Sequence, residues 1–294
     1  MKYLIAVLCA AALLAGCSGG ETPDVDKLEV DPIKPKPKGF VRNSEPGSPS
    51  KVVVDRDQIQ NRNDLYYLPN EEVPFTGAAV SSYENGQIRE EGTYKDGVPH
   101  GPWTTWHENG ERQSEYSFKN GKEDGLQTYW YENGLKKESG TYQDGNQVGR
   151  WSYWHVNGQK QSEYVLEDGK EEGLYTYWYD NGQKSAEGPY KDGKEEGIHA
   201  NWFDNGKKAS EGPFKDGKME GVWTHWHENG QKLFEHTYKD GMEDGIHSNW
   251  HENGQKASEG HYKAGKLEGL WIYYDEAGTE KSRSTYKTGV EVQP

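Results

Sequence analysis

The chain is poor in cysteine: its 294 residues contain two. Cys9 lies within an apolar run from Tyr3 to Leu14, and Cys17 stands just after it. The run comes after Met1-Lys2, is too short to anchor in a bilayer and ends in small residues, which is the layout of a removable export signal. With Cys9 lost in processing, no disulfide can form within the mature chain. An exported protein must then hold its shape by packing and strand pairing alone. Apolar residues are also scarce, at 31% against about 45–50% in an ordinary globular domain, which excludes a large conventional core. Outside the signal no segment sustains a 3.6-residue apolar period, so almost no helix is expected. Positive charge is short as well: 34 Lys and Arg stand against 49 Asp and Glu, for a net charge of −15. Free nucleic acid and anionic lipid faces are thereby excluded as partners of the body as a whole.

What the chain does have is aromatic area and repetition. Aromatic residues reach 13%, with 20 Tyr and 11 Trp, so rows of large rings must supply the burial that aliphatic residues cannot. Residues 1–16 read as the signal, and Leu14-Ala15-Gly16-Cys17 resembles the lipobox of bacterial lipoproteins. That resemblance implies an acylated N-terminus at Cys17 and attachment to the cell envelope. Ser18 behind it implies sorting to the outer membrane. Residues 17–51 are rich in Gly, Pro, Ser and charge, including Lys34-Pro35-Lys36-Pro37-Lys38, and read as a disordered tether. Residues 52–76, with Val52-Val53-Val54 and Leu65-Tyr66-Tyr67, read as an element capping the open N-terminal end of a repeat array.

The array itself, residues 77–294, holds nine units of 24 residues with a C-terminal cap. Glycines recur at 86, 110, 134, 158, 182, 206, 230, 254 and 278, at 97 through 289, and at 77 through 269, all on the same step. Counting the last series as position 0, position 5 is Trp106, Trp130, Trp154, Trp178, Trp202, Trp226 and Trp250, then Tyr274, and position 17 is Tyr or Phe except at Leu166. Asn-Gly, at 85–86 through 253–254, stands between them and predicts a type I′ hairpin turn. Lys-Asp-Gly and Glu-Gly pairs then return the chain to the next unit. A single hairpin is marginal in water, so neighbours must pair into one long antiparallel sheet. The fold class expected is all-β, an elongated single-sheet hairpin repeat array.

A two-residue turn sets position 2 opposite position 15. These positions vary together: Trp103 with Tyr116, Trp151 with Tyr164, Trp223 with His236, Trp271 with Ser284, but Gln127, Tyr175, His199 and His247 with glycine. The same register puts positions 5 and 17 on opposite faces, and a bulge at position 15 is expected to bring the aromatics back together.

Written out, as in Gly173-Leu-Tyr-Thr-Tyr-Trp-Tyr-Asp-Asn-Gly-Gln-Lys-Ser-Ala-Glu-Gly-Pro-Tyr-Lys-Asp-Gly193, the unit resembles the MORN-repeat family and, more narrowly, its YwqK-type antitoxin-like variants. The resemblance implies an antiparallel sheet used for protein contacts, self-association or membrane attachment. The acidic charge speaks against reading a phospholipid headgroup.

The paired acids at positions 22 and 23, such as Glu171-Glu172 and Glu243-Asp244, recur in nearly every unit, whereas a catalytic pair needs one unique environment. They read as solvated turn residues. His199, His225, His227, His247 and His251 lie at even positions in adjacent units. Of these His225, His227, His247 and His251 are the candidate metal ligands, against a plainer reading in which His stands in for Tyr or Trp. The position 5 tryptophans are expected to be the structural ladder. Trp103, Trp151, Trp223, Trp271, Tyr129, Tyr153 and Tyr177 are the candidate binding face. No unique constellation points to an enzyme and no cofactor is implied. The function expected is an envelope-anchored, non-enzymatic module that binds a protein or glycan; the alternative is an immunity or antitoxin-like protein that neutralises a toxin.

Overall fold

The structure, a computed structural model, describes residues 53–293. The signal, Cys17 and the tether lie outside the described residues. The rest is one 24-stranded sheet, nearly all antiparallel, with a separate two-stranded ribbon, Gln60–Arg62 against Leu65–Tyr67. The helical content described is one short 3₁₀ turn, Arg56–Gln58. At the N-terminal edge Val53–Asp55 pairs in parallel with Gly77–Ser82. Phe75, Ala79, Tyr94 and Trp103 are buried there, with Val54, Ile59, Tyr66 and Leu68 packed on them. The first strand of the array is therefore covered rather than left as an open edge.

Each unit is a hairpin, but its two turns are built the other way round from the sequence expectation. The Asp-Gly pairs carry the type I′ turn: Asp96 and Gly97 have φ of 52° and 80°, and Lys95 pairs with Val98 across a two-residue loop. Asn-Gly sits instead in a three-residue loop. In Glu132-Asn133-Gly134 only the glycine has positive φ, Gly134 N–H donates to Tyr131 O (2.9 Å) and Tyr131 N–H to Leu135 O (2.8 Å), a type I turn closed by a left-handed glycine.

Asn is present for another reason. Asn133 Oδ1 accepts from Leu135 N–H (3.1 Å) while its Nδ2 donates to Val156 O of the next unit (2.9 Å). Seven further asparagines, from Asn85 to Asn253, make the same forward bond. The ninth turn carries Ala277 at this position, and there Asp275 Oδ1 accepts from the Ala277 and Thr279 N–H groups.

Two irregularities recur. Within the hairpin one extra residue falls at position 12: Tyr129 pairs with Glu138 but Trp130 with Lys136, leaving Lys137 over. Between hairpins the register breaks around position 15: Glu163 pairs with Thr176 but Val165 with Glu172, so Tyr164 faces the stretch Gly173–Tyr175. The position 0 glycine is left-handed there, φ 76° at Gly173, which is the role of the third glycine series from Gly101 onward.

Position 2 does lie opposite position 15 within a unit: Trp103 against Tyr116, Trp151 against Tyr164, Trp223 against His236 and Trp271 against Ser284. The breaks in register do not reunite the aromatics, however. Rings at positions 17, 2 and 4 touch one another, as in Tyr142–Trp151–Tyr153. Position 5 alternates to the other face of the strand. The sheet therefore has two aromatic faces, not one.

Candidate binding face and histidine cluster

On the first face the four position 2 tryptophans are 1–4% exposed: Trp103, Trp151, Trp223 and Trp271. Each lies over the position 15 glycine of the preceding unit, Gly92, Gly140, Gly212 and Gly260, where an added Cβ would meet the indole at 2.2–2.3 Å. Where position 15 is large, the next position 2 is not Trp: Tyr116 is followed by Gln127, Tyr164 by Tyr175 and His236 by His247. The pattern seen within units is thus produced across their junctions, by one ring fitting into the space a glycine leaves. These indoles form the main packing row, and burial removes them from the candidate binding face. Tyr129 and Tyr153 are half-buried, while Tyr177 is 43% exposed. Burial raises the phenols, Tyr116 and Tyr129 to about 12, with Tyr153 raised by burial and by its hydrogen bond to Tyr164 (3.1 Å).

The second face carries the position 5 tryptophans, half-buried. Lys136, Lys160, Lys184, Lys208 and Lys232 each stand 5.3–5.8 Å from the ring centroid of the next unit's Trp154, Trp178, Trp202, Trp226 and Trp250. Four of these lysines, Lys160, Lys184, Lys208 and Lys232, also pair with Glu163, Glu187, Glu211 and Glu235 three residues on. Burial alone would raise the Glu163 carboxyl, but Lys160, Ser152 and Arg150 outweigh it and hold it below the usual range. Trp106 and Trp130 occupy the same position at the array's start.

Beside this zipper runs a row that the sequence reading did not single out. Position 1 is Leu126, Leu174, Ile198, Val222, Ile246 and Leu270, and all six are 47–68% exposed. From Leu174 to Leu270 successive members are two strands apart, about 9–10 Å, whereas Arg150 takes position 1 in the unit between Leu126 and Leu174. Their alternation with the buried position 2 was visible in the sequence; what hid them was the assumption that aromatics, not aliphatics, would face outward.

The position 23 acids are not merely solvated. Glu172, Glu196, Glu220 and Asp244 each accept the backbone N–H of the next unit's turn, at Asp192, Asp216, Asp240 and Ala264, over 2.9–3.0 Å. They do at one edge what the asparagines do at the other.

The histidines separate into two groups. At position 6, His107, His155 and His251 hold the next unit's position 5 carbonyl through Nε2 (2.9–3.2 Å), where Tyr83, Tyr131 and Tyr179 use their hydroxyls. His227 belongs to the same row. His251 is therefore a stand-in for Tyr, while the Nε2 of His227 is buried without a hydrogen-bond partner; both lie away from the other metal candidates. His225 and His247 lie on the first face, where burial and then His236 lower both to about 4. His247 meets two residues that the sequence reading did not count as ligands: His236, with ring centroids 4.0 Å apart, and Glu243, whose Oε1 lies 2.5 Å from His236 Nδ1. Donor atoms of His236, Glu243 and His247 all fall within 4.8 Å of one another. Reading positions 15, 22 and 2 across a junction would have found them.

Among the described residues no helix is long and apolar enough to cross a membrane. No curated protein matches the chain. Seven segments, residues 75–96, 99–120, 123–144, 171–192, 195–216, 219–240 and 243–264, match the MORN repeat variant family. Together they make up more than half of the chain. The unmatched 147–168 and 267–288 fold into the same hairpin, with Gly149 against Leu166 and Gly269 against Tyr286.

Proposed function

Since this chain belongs to the MORN repeat variant family, whose repeats suggest a binding or scaffolding module, we propose that it is a non-enzymatic scaffold of the bacterial cell envelope, tethered by acyl chains on Cys17, that binds a protein along the position 1 row. The row carries the reading: in five consecutive units the aliphatic side chains from Leu174 to Leu270, 47–68% exposed, form a linear apolar strip of the kind that marks an interaction surface. Leu, Ile and Val favour a protein partner over a glycan. Sugar rings bind best by laying their C–H faces on exposed aromatic planes, and here the position 2 indoles are buried and the position 5 indoles from Trp154 to Trp250 are shielded by lysine. The recurring acids support a non-catalytic role, because those at position 23 already accept backbone N–H groups.

A photo-crosslinking residue placed at Ile198 or Ile246 of the full-length protein in its native envelope tests the proposal. The expected result is one discrete protein adduct from both positions and none from Tyr177 on the opposite face. Adducts from Tyr177 alone, or retention on purified peptidoglycan with no protein adduct, would overturn it. A toxin identified in the adduct would narrow the scaffold to an immunity protein.

A further inference from the structure

At one junction the repeat changes chemistry. Positions 15, 22 and 2 facing each other across it are His236, Glu243 and His247, whereas the other junctions place Gly or Tyr at position 15, and of these one sets a single histidine, His199, beside an acid, Glu195. The register brings them together: His236 pairs with His247, and Glu243 with Tyr238 two residues beyond His236. All three side chains point to the first face.

His247 is 7% exposed, and its Nδ1 is buried with no hydrogen-bond partner. A buried imidazole nitrogen left unpaired costs stability unless something occupies it. His236 and Glu243 are half-buried beside it. Their donors, all within 4.8 Å of one another, approach the about 3.3 Å spacing that donors take around a tetrahedral ion bound at about 2.0–2.1 Å. Two imidazoles and one carboxylate suit a borderline divalent transition ion, and three protein ligands leave a fourth position for water.

We propose that His236, Glu243 and His247 form a binding site for one divalent transition-metal ion of the zinc class. The site bridges the seventh and eighth repeats and clips two hairpins together at a junction where neither residue is glycine. It does not depend on the aliphatic row, and neither reading fails with the other.

The test is titration of the full-length, detergent-solubilised protein with ZnCl2 by calorimetry, and with Co2+ by its visible absorption. One equivalent per chain is expected, with the Co2+ spectrum of a four-coordinate site. Glu243→Gln and His247→Gln should each weaken binding tenfold or more, while His227→Gln and His251→Gln leave it unchanged. His236→Tyr/His247→Tyr copies the natural Tyr164/Tyr175 junction, so it should keep the β-sheet circular dichroism and lose the metal. Absence of a saturable equivalent in the wild type, or undiminished binding by the folded double variant, would overturn the site.

Discussion

Trp151 packs on the backbone of Gly140 so closely that a Cβ there would fall 2.2 Å from Trp151 Cδ2. Gly140→Ala must push the indole out of its place, and overpacking of this kind costs about 1–3 kcal/mol. In the Trp151→Gln background the same change should cost much less, because Gln127 already follows the large Tyr116 at another junction. Urea denaturation of the four proteins in the cycle measures the coupling. Independent, additive effects would show that the two residues are not matched.

Two of the nine type I′ turns are made by residues ill suited to positive φ: Ala264 at 49° and Thr288 at 53°. The other seven use Asp or Asn, which tolerate the left-handed region. Ala264→Asn and Thr288→Asn are each expected to stabilise by about 1 kcal/mol, read as an upward shift of the unfolding midpoint.

The Asn ladder separates the two jobs of one side chain. Asn157 Oδ1 accepts from Gln159 N–H (3.0 Å) and its Nδ2 donates to Asp180 O (2.6 Å). Asn157→Asp keeps the first bond and sets a carboxylate against a carbonyl oxygen in place of the second. A loss of about 1–2 kcal/mol is expected, with a similar or smaller loss for Asn157→Ala. If only the turn mattered, Asp would be neutral.

His225 and His247 fix the direction of the pH dependence. Burial, and then the nearby His236, keeps both neutral down to about 4 in the folded protein, while in the unfolded chain they titrate near the ordinary value of about 6.5. Between those values the unfolded state binds more protons, so their contribution is complete above about pH 6.5 and is lost as pH falls toward 4. Each contributes at most about 3 kcal/mol. With chelator present, the thermal midpoint should fall over this window and the fall should shrink in His225→Tyr/His247→Gln. An unchanged slope would contradict the assignment.

Much of the fold was legible because a strict period leaves few choices: three glycine series and a hairpin signal in each unit require a sheet, and the covariation of positions 2 and 15 gave their pairing. The reasons behind the residues were harder to read. Asn-Gly suggested positive φ, yet Asn133 is retained for a bond to Val156 in the next unit, 23 residues away. Trp151 suggested a recognition surface because its position varies, and the variation proved to follow Gly140 beneath it. His236 and Glu243 were hidden because each belongs to one unit and their partner His247 to the next. The periodicity describes a unit, whereas the chemistry is made at the junctions between units.

Charging the aliphatic row without touching the junctions tests the scaffold role most directly. In the full-length protein Ile198→Lys/Val222→Lys/Ile246→Lys alters three exposed side chains, a change of about 0.5 kcal/mol or less at each. This variant is expected to keep its sheet and nearly its wild-type melting temperature, while a crosslinker at Leu174 no longer captures the partner protein. Undiminished capture by the folded variant would contradict a protein-binding role for the row.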